Sequence, residues 1–405
     1  MTVRLKSLIR VHSDFEITYL QELRHKSRLE FGDQKAITFL NDISKILMAP
    51  NVRRDNPEFA SLGFFLRRSN IESLLAKFTH TASQVNVPRG LVFHVPPANV
   101  DTVFMYSWAL SVLAGNSNVV RISNRAGDAT RRLLELISDV LEKADSVFKE
   151  TQLFIEYERN DDISEAISET CDLRVVWGGD ETVRQFRKFP LSALSREISF
   201  PNRTSMSVVN LEIWSSSSSE VLSKVGDDFV RDIYWFDQAA CSSPRVIFAI
   251  GPTSLLNEFI GSLGRVVIDA LQKRGISQDA SVLMEKTVRS QVALATGKAS
   301  SVDEFRNRNF VSLVSTNGEL REWCGVGAVN ILHVNELSDV SKHVVRTDQT
   351  MTYFGFSEEQ LSEFILRIGQ LGVDRVVPIG SALDFSYIWD GMNLVSEFSR
   401  IVTIQ

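Results

Sequence analysis

A series of short β-branched and apolar runs, most of them separated by helical patterns, constrains the fold of this 405-residue chain more than any other feature. The runs are Leu91–Val95, Val119–Ile122, Leu153–Tyr157, Leu173–Trp177, Met206–Leu211, Val246–Ile250, Val311–Val314 and Val329–Val334. Apolar alternation and β-branched residues dominate each run, which marks them as strands, and Val246–Ile250 is apolar throughout. The clearest helical pattern, Asp128–Ala144, sets Leu133, Leu134, Ile137, Val140, Leu141 and Ala144 on one face. Strands alternating with helices of this length make βαβ units, so the predicted class is α/β with parallel sheets. Residues 1–85 read as a charged, helical lead-in packed on the first sheet. A change of domain is expected between Phe200 and Glu220, giving lobes at 86–212 and 213–375 and a C-terminal segment at 376–405. The serine run Ser215–Ser219 in that interval reads as a functional loop, a solvated linker or an N-cap cluster before Val221.

Charge excludes some partners. Lys and Arg total 44 against 50 Asp and Glu, a formal net charge of -6, so there is no basic excess for nucleic acid or an anionic membrane. The longest charge-free stretch, Thr102–Val120, has an apolar part shorter than the ~20 residues of a bilayer span and reads as a buried helix followed by a turn. Charged residues interrupt the N-terminus, which argues against a secretory signal. Cys171, Cys241 and Cys324 lie far apart with no CxxC spacing, as in a reducing, cytoplasmic compartment. The six histidines form no ligand pair with an acidic third member, so no metal site is expected. The sequence holds no GxGxxG after the first strand, and no Walker A, HExxH or GxSxG motif.

Three segments carry candidate chemistry. Cys241 follows a helix-like stretch ending in two alanines, just before a strand that begins after Pro244. A thiol at such a junction is held rigidly yet stays approachable, as a nucleophile requires, although a buried structural cysteine fits the same segment. The run Leu91-Val-Phe-His-Val-Pro-Pro-Ala-Asn99 leads from a strand through two prolines to the head of the buried helix. The Asn99 carboxamide there either caps the helix or donates into a cleft at the strand's carboxyl end. The third segment, Ala114-Gly-Asn-Ser-Asn-Val-Val-Arg-Ile-Ser-Asn-Arg125, is a tight turn into a strand that ends in cationic and hydroxyl groups. It suits phosphate or ribose contacts and equally a solvated strand end.

In order and spacing these segments resemble the aldehyde dehydrogenase superfamily. Pro97-Ala98-Asn99 is similar to the element that supplies its oxyanion donor, and Ala114-Gly115-Asn116 with Arg121-Ile122-Ser123-Asn124 to the turn and strand end that hold the adenosine ribose. Trp177-Gly178-Gly179-Asp180 is similar to the glycine turn facing the nicotinamide nucleotide, and Cys241 to the nucleophile. That superfamily binds its dinucleotide on a variant Rossmann sheet without GxGxxG. The resemblance sharpens to the acyl-CoA reductases of the LuxC family, typified by the fatty-acid reductase of bacterial luminescence. It does so through Phe93–Phe104, Asp237-Gln-Ala-Ala-Cys-Ser-Ser-Pro244 and Gly372–Gly391.

The resemblance implies an aldehyde dehydrogenase-like fold with a cofactor lobe (86–212) and a catalytic lobe carrying Cys241 (213–375). The implied reaction is reduction of an acyl-CoA thioester, with a fatty acyl group, to the aldehyde through a thioacyl enzyme. Catalytic roles fall on Cys241 and Asn99, and cofactor contacts on Arg121, Ser123, Asn124, Arg125, Gly178 and Gly179. Two departures from ordinary aldehyde dehydrogenases carry physical meaning. The stretch equivalent to their general-base Glu looks like Asn202-Arg-Thr-Ser-Met-Ser-Val-Val and holds no carboxylate, so hydrolysis of the thioacyl group should be slow and exchange with a thiol favoured. Asn124 stands where a ribose-binding Glu would be and Arg125 follows, which favours the 2′-phosphate of NADPH; Arg121 replaces a Lys. Alternative donors are a carrier-protein thioester or an acyl phosphate, and a catalytically silent nucleotide-binding scaffold is the reading from another class. The resemblance also implies a homo-oligomer, with Arg400-Ile-Val-Thr-Ile as a candidate interface strand, and an acyl-transferase or synthetase partner.

Overall fold

The computed structural model describes residues 4–26, 29–78, 83–97, 102–316 and 321–405. Their contacts divide the chain into two units, Met1–Asn202 with Phe385–Gln405, and Arg203–Asp384. The first unit contains β1 (Arg4–Ser7), β2 (Phe15–Glu16), β3 (Gln84–Pro88), β4 (Leu91–Val95), β5 (Ser117–Ile122), β6 (Gln152–Glu156), β7 (Leu173–Trp177) and β8 (Arg196–Phe200). The second contains β9 (Thr204–Asn210), β10 (Pro244–Ile250), β11 (Ala299–Phe305), β12 (Phe310–Ser315), β13 (Ala328–Val334), β14 (Asp348–Phe354) and β15 (Arg375–Pro378). The chain then returns to the first unit with β16 (Ile388–Trp389), β17 (Met392–Asn393) and β18 (Ser399–Thr403).

The sheet of the first unit has the order β2-β1-β6-β5-β4-β7-β8. From β6 to β8 the strands are parallel, and β1 joins the edge antiparallel to β6. Taken along the chain, the strands run outward from β4 to β5 and β6, then cross to β7 and β8 on the other side. That reversal makes a topological switch point beside β4, where doubly wound sheets bind ligands at the carboxyl ends of their strands. The helix Val103–Leu113 is buried along its whole length, which accounts for its lack of a polar face. The helix Asp128–Leu141 instead buries one stripe that includes Leu133, Leu134, Ile137 and Leu141.

Residues 1–85 are more than a helical lead-in. The strands β1 and β2 extend the sheet, and Phe39, Leu40, Leu62 and Leu74 join Trp108 and Phe154 in the first unit's core. Leu394, Val395 and Phe398 of the C-terminal return join the same core. The strand β18 pairs antiparallel with β3 in a two-stranded ribbon that leaves Ile401, Val402 and Ile404 exposed.

The sheet of the second unit has the order β11-β12-β13-β10-β9-β14-β15, parallel except for β11. The boundary between units lies between Asn202 and Arg203, ahead of β9, whereas the expected division put that strand in the first lobe. The physical reason is pairing: β9 lies between β10 and β14 at the centre of the second sheet. Likewise β15 pairs with β14, so the second unit extends to Asp384, past the expected boundary at 375/376. In the serine run, Ser218 caps the helix Ser219–Tyr234 by accepting from Val221 N–H. Among the described residues no helix is long and apolar enough to cross a membrane.

Candidate active site

In the first unit, the switch point gathers the ends of three strands. Pro96 and Pro97 follow β4, Ser123–Arg125 follow β5, and Gly178 and Gly179 follow β7. Asn99 lies outside the described residues. Arg121, the penultimate residue of β5, is half-buried with its guanidinium 4.6 Å from the Tyr157 ring centroid. Its Nε is buried without a hydrogen-bond partner, and it makes no ion pair among the described residues. A cation held in this way fits an anionic ligand group. Beyond it, Ser123 Oγ accepts from Arg125 N–H at 3.2 Å, while Asn124 and Arg125 are exposed.

The glycine turn is tightly built. Gly178 N–H donates to Phe200 O at 3.1 Å, and the Trp177 and Phe200 rings stack 3.7 Å apart beneath it. A Cβ at Gly178 would come within 3.1 Å of Thr182, and one at Gly179 within 3.3 Å of Asn202 Oδ1. The first turn of the following helix holds Asp180 and Glu181, so the cationic groups at this end of the sheet are Arg121 and Arg125 rather than residues of that helix start.

His94 has a structural role. It is fully buried on β4, with Nδ1 3.0 Å from Ser107 Oγ and Nε2 2.9 Å from Asn118 Oδ1, so both ring nitrogens are engaged inside the first unit. Burial pushes its pKa down to about 4 and keeps the ring neutral. Asn116 is structural as well: Oδ1 accepts from the N–H groups of Arg89 (2.8 Å) and Gly90 (2.9 Å), and Nδ2 donates to Phe398 O at 2.8 Å.

In the second unit, Cys241 occupies a short turn between the helix Ser219–Tyr234 and β10. Asp237 (φ 50°) and Gln238 (φ 55°) are consecutive non-glycine residues in the left-handed region, and they reverse the chain as the helix ends. Gln238 N–H donates to Ile233 O at 2.8 Å. The buried Gln238 amide donates to Pro244 O (2.9 Å) and Ala328 O (3.1 Å) and accepts from Gly327 N–H (3.0 Å). On the far side of the thiol, Ser243 N–H donates to Ala240 O at 3.0 Å and its hydroxyl to Asp232 O at 2.7 Å. Ser205 Oγ on β9 donates to Cys241 O at 2.7 Å and accepts from Thr350 N–H at 3.1 Å. Cys241 is thus half-buried on a turn tied down before, at and after it.

Gln238, Ser205 and Asp232 were missed as supports. The one signal for Gln238 was its place in the Asp237–Pro244 motif, whereas Ser205 reaches the turn from β9 and Asp232 supports it through its backbone carbonyl in the preceding helix. Asp232 is fully buried and accepts from the N–H groups of Gly380 (2.6 Å) and Ala382 (3.0 Å), and burial pushes its pKa up to about 7. The other cysteines are buried; Cys171 Sγ donates to Ser168 O at 3.3 Å, and burial pushes the Cys324 thiol up. The stretch Asn202–Val209, which holds no carboxylate, leads into and forms most of β9. Beside it, the buried Asp348 is occupied by Arg321 (2.8 and 2.9 Å), Thr204 Oγ1 (3.0 Å) and Val345 N–H (2.9 Å), leaving it no role as a general base.

Comparison with known proteins agrees with this architecture. The NAD-dependent benzaldehyde dehydrogenase of Corynebacterium glutamicum superposes with a TM-score of 0.65 at 11% identity, covering 96% of this chain and 88% of that one. Lactaldehyde dehydrogenase from Escherichia coli gives 0.62 at 10% identity, covering 96% and 85%. At such identities the likeness is one of fold, and the fold is that of the aldehyde dehydrogenases. A protein named long-chain acyl-protein thioester reductase, from Aliivibrio fischeri, is 21% identical over 371 residues, covering 90% of this chain and 72% of the relative. The model of the family described as acyl-CoA reductase (LuxC) matches residues 68–401. With most of its length matched, the chain belongs to the acyl-CoA reductase (LuxC) family.

Proposed function

We propose that this protein reduces an acyl-CoA thioester, with a fatty acyl group, to the aldehyde, with NADPH as reductant and Cys241 as nucleophile. The observation that carries the reading is the half-buried Cys241 thiol on its tied-down turn, in a chain of the acyl-CoA reductase family. The Cys241 thiolate forms a bond to the acyl carbon while the bond to the CoA sulfur breaks, and CoA leaves as its thiol after taking up a proton. The Asn99 carboxamide, a role resting on sequence resemblance, and the Cys241 N–H hold the developing oxyanion. Loss of one such donor typically costs about 10²–10³ in rate. Exchange of one thioester for another is near thermoneutral, so the thioacyl enzyme persists if water is not activated. The carboxylate-free stretch Asn202–Val209 and the occupied Asp348 supply no general base for that activation.

Arg121, Ser123, Asn124, Arg125, Gly178 and Gly179 would hold the nicotinamide cofactor, which when bound would supply the hydride for the thioacyl carbon. Cys241 then leaves as its thiolate as the aldehyde is released. The unpartnered Arg121 Nε and the exposed Arg125 favour NADPH through its 2′-phosphate. The exposed apolar residues of β18 support assembly into a homo-oligomer.

A second donor is favoured by one observation: the relative from Aliivibrio fischeri is named for an acyl-protein thioester. The experiment is loss of NADPH absorbance on adding acyl-CoA of varied chain length or an acylated carrier protein, with Cys241→Ala as control. Turnover by the wild type and none by the variant is expected. Full turnover by the variant would eliminate the thioacyl mechanism, and turnover with the protein donor alone would reassign the substrate.

A further inference from the structure

The reaction proposed above requires a thiolate at neutral pH, yet an ordinary cysteine titrates near 8.5 and is mostly protonated there. His94 cannot supply the activation, since it is sealed into the first unit's core with both ring nitrogens engaged. The source of activation lies elsewhere, in the strand that follows the nucleophile.

The pairing of β10 with β9 slips at its start. Pro244 pairs with Ser205 and Val246 with Met206, so Arg245 is an extra residue bulged out of the ladder. A bulge re-aims the side chain it carries. Arg245 is also the one residue of β10 that is not buried, and the Ser205 opposite the bulge is the residue whose hydroxyl holds the Cys241 carbonyl. The Arg245 guanidinium has no carboxylate partner among the described residues. Its Nε is buried without a hydrogen-bond partner, and its Nη1 reaches only Arg321 O, at 3.5 Å. The ionisable groups whose charge acts on it are Cys241, four residues before it on the same turn-to-strand junction, and Cys324.

A partly buried cation lacks the stabilisation that an anion beside it would give. Cys324 does not fill that role: its thiol is buried and pushed up, with Glu322 opposing ionisation and Arg289 and Arg245 favouring it. That leaves Cys241. We propose that Arg245 is a positioning residue that acts through Cys241, with the bulge at the start of β10 aiming its guanidinium so that the nucleophile is held as a thiolate. The inference rests on Cys241 being the nucleophile, and its test can fail separately from that reading.

The experiment measures the rate of Cys241 alkylation by iodoacetamide against pH, read by mass spectrometry of the peptide containing Cys241, in the whole wild-type chain, in Arg245→Met and in Arg245→Lys. The wild-type midpoint is expected at least one pH unit below 8.5. Arg245→Met should move it up by at least one unit, with about tenfold slower alkylation at pH 6.5, and Arg245→Lys should restore part of the shift. A wild-type midpoint at 8.5 or above overturns the proposal even if Arg245→Met does not fold. So does an unchanged midpoint in a folded Arg245→Met protein, while leaving intact a loss of turnover in Cys241→Ala. Conversely, full turnover by Cys241→Ala together with a midpoint that depends on Arg245 would remove the reaction and keep the ion pair.

Discussion

Replacing Gln238 by Leu tests whether the nucleophile's turn is held in place or merely passes through it. The substitution puts an apolar side chain of similar bulk in place of the amide and so removes the donors to Pro244 O and Ala328 O and the acceptor for Gly327 N–H, all at 2.9–3.1 Å. Each such bond contributes about 1 kcal/mol net, and a buried group left unsatisfied costs about 1–3 kcal/mol. Leu must also adopt the φ of 55° found at this position, which a branched side chain disfavours. The sum is about 3 kcal/mol or more of lost stability in the second unit. With a urea dependence of about 2 kcal/mol per M, the denaturation midpoint should fall by about 1.5 M. Near-ultraviolet circular dichroism during urea titration reads it, since Trp323 Nε1–H donates to Asp237 O at 3.2 Å beside the turn. A folded Gln238→Leu protein whose midpoint matches the wild type within about 0.2 M would refute the view that this amide clamps the turn.

Other outcomes follow from the same geometry. The folded-state pKa of Asp232 lies at about 7, above the unfolded value, so its contribution is fully present below about pH 4 and is lost as pH rises through 7. The stability of the wild type minus that of Asp232→Asn should therefore be lower at pH 8 than at pH 5 by about 2 kcal/mol or more, as read by urea denaturation; a flat difference would contradict it. His94 has the opposite sign: its folded-state pKa of about 4 lies below the unfolded value, so its contribution is present above about pH 6.5 and is lost as pH falls toward 4. His94→Gln should remove that acid-side loss in a thermal melt series without moving the Cys241 alkylation midpoint. Arg121→Gln should raise the KM for NADPH about tenfold while changing that for NADH less, and equal changes for the two cofactors would remove the 2′-phosphate assignment.

The parts of the fold legible in the sequence were those whose burial imposes composition. The strands β4, β5, β7, β10 and β13 are covered almost throughout and read from their β-branched and apolar residues, and the helix Asp128–Leu141 reads from its single buried stripe. The strands that escaped are edge or polar ones. β8 carries Arg196 and Glu197, and β14 is fully buried over its first five residues yet begins Asp348-Gln349-Thr350, polar residues held by side-chain and backbone bonds. β1 went unseen because four residues joining a sheet edge leave almost no periodicity. At the candidate site, the junction around Cys241 was visible because the helical stretch and the strand after Pro244 bracket it. Its supports were not, since Gln238 binds Ala328 and Gly327 about ninety residues away and the bulge at Arg245 depends on its pairing with β9. Contacts of that kind are made by the fold, and no local pattern encodes them.

The central claim is that Cys241 carries the acyl group, and trapping that intermediate tests it most directly. Incubating the protein with a long-chain acyl-CoA in the absence of reductant, then weighing its peptides, should give the acyl mass on the Cys241 peptide, with release of CoA. The adduct should vanish on adding NADPH as aldehyde forms, and should never form in Cys241→Ala. An adduct on Cys171 or Cys324, or none at all in a protein that still consumes NADPH with acyl-CoA, would contradict the account.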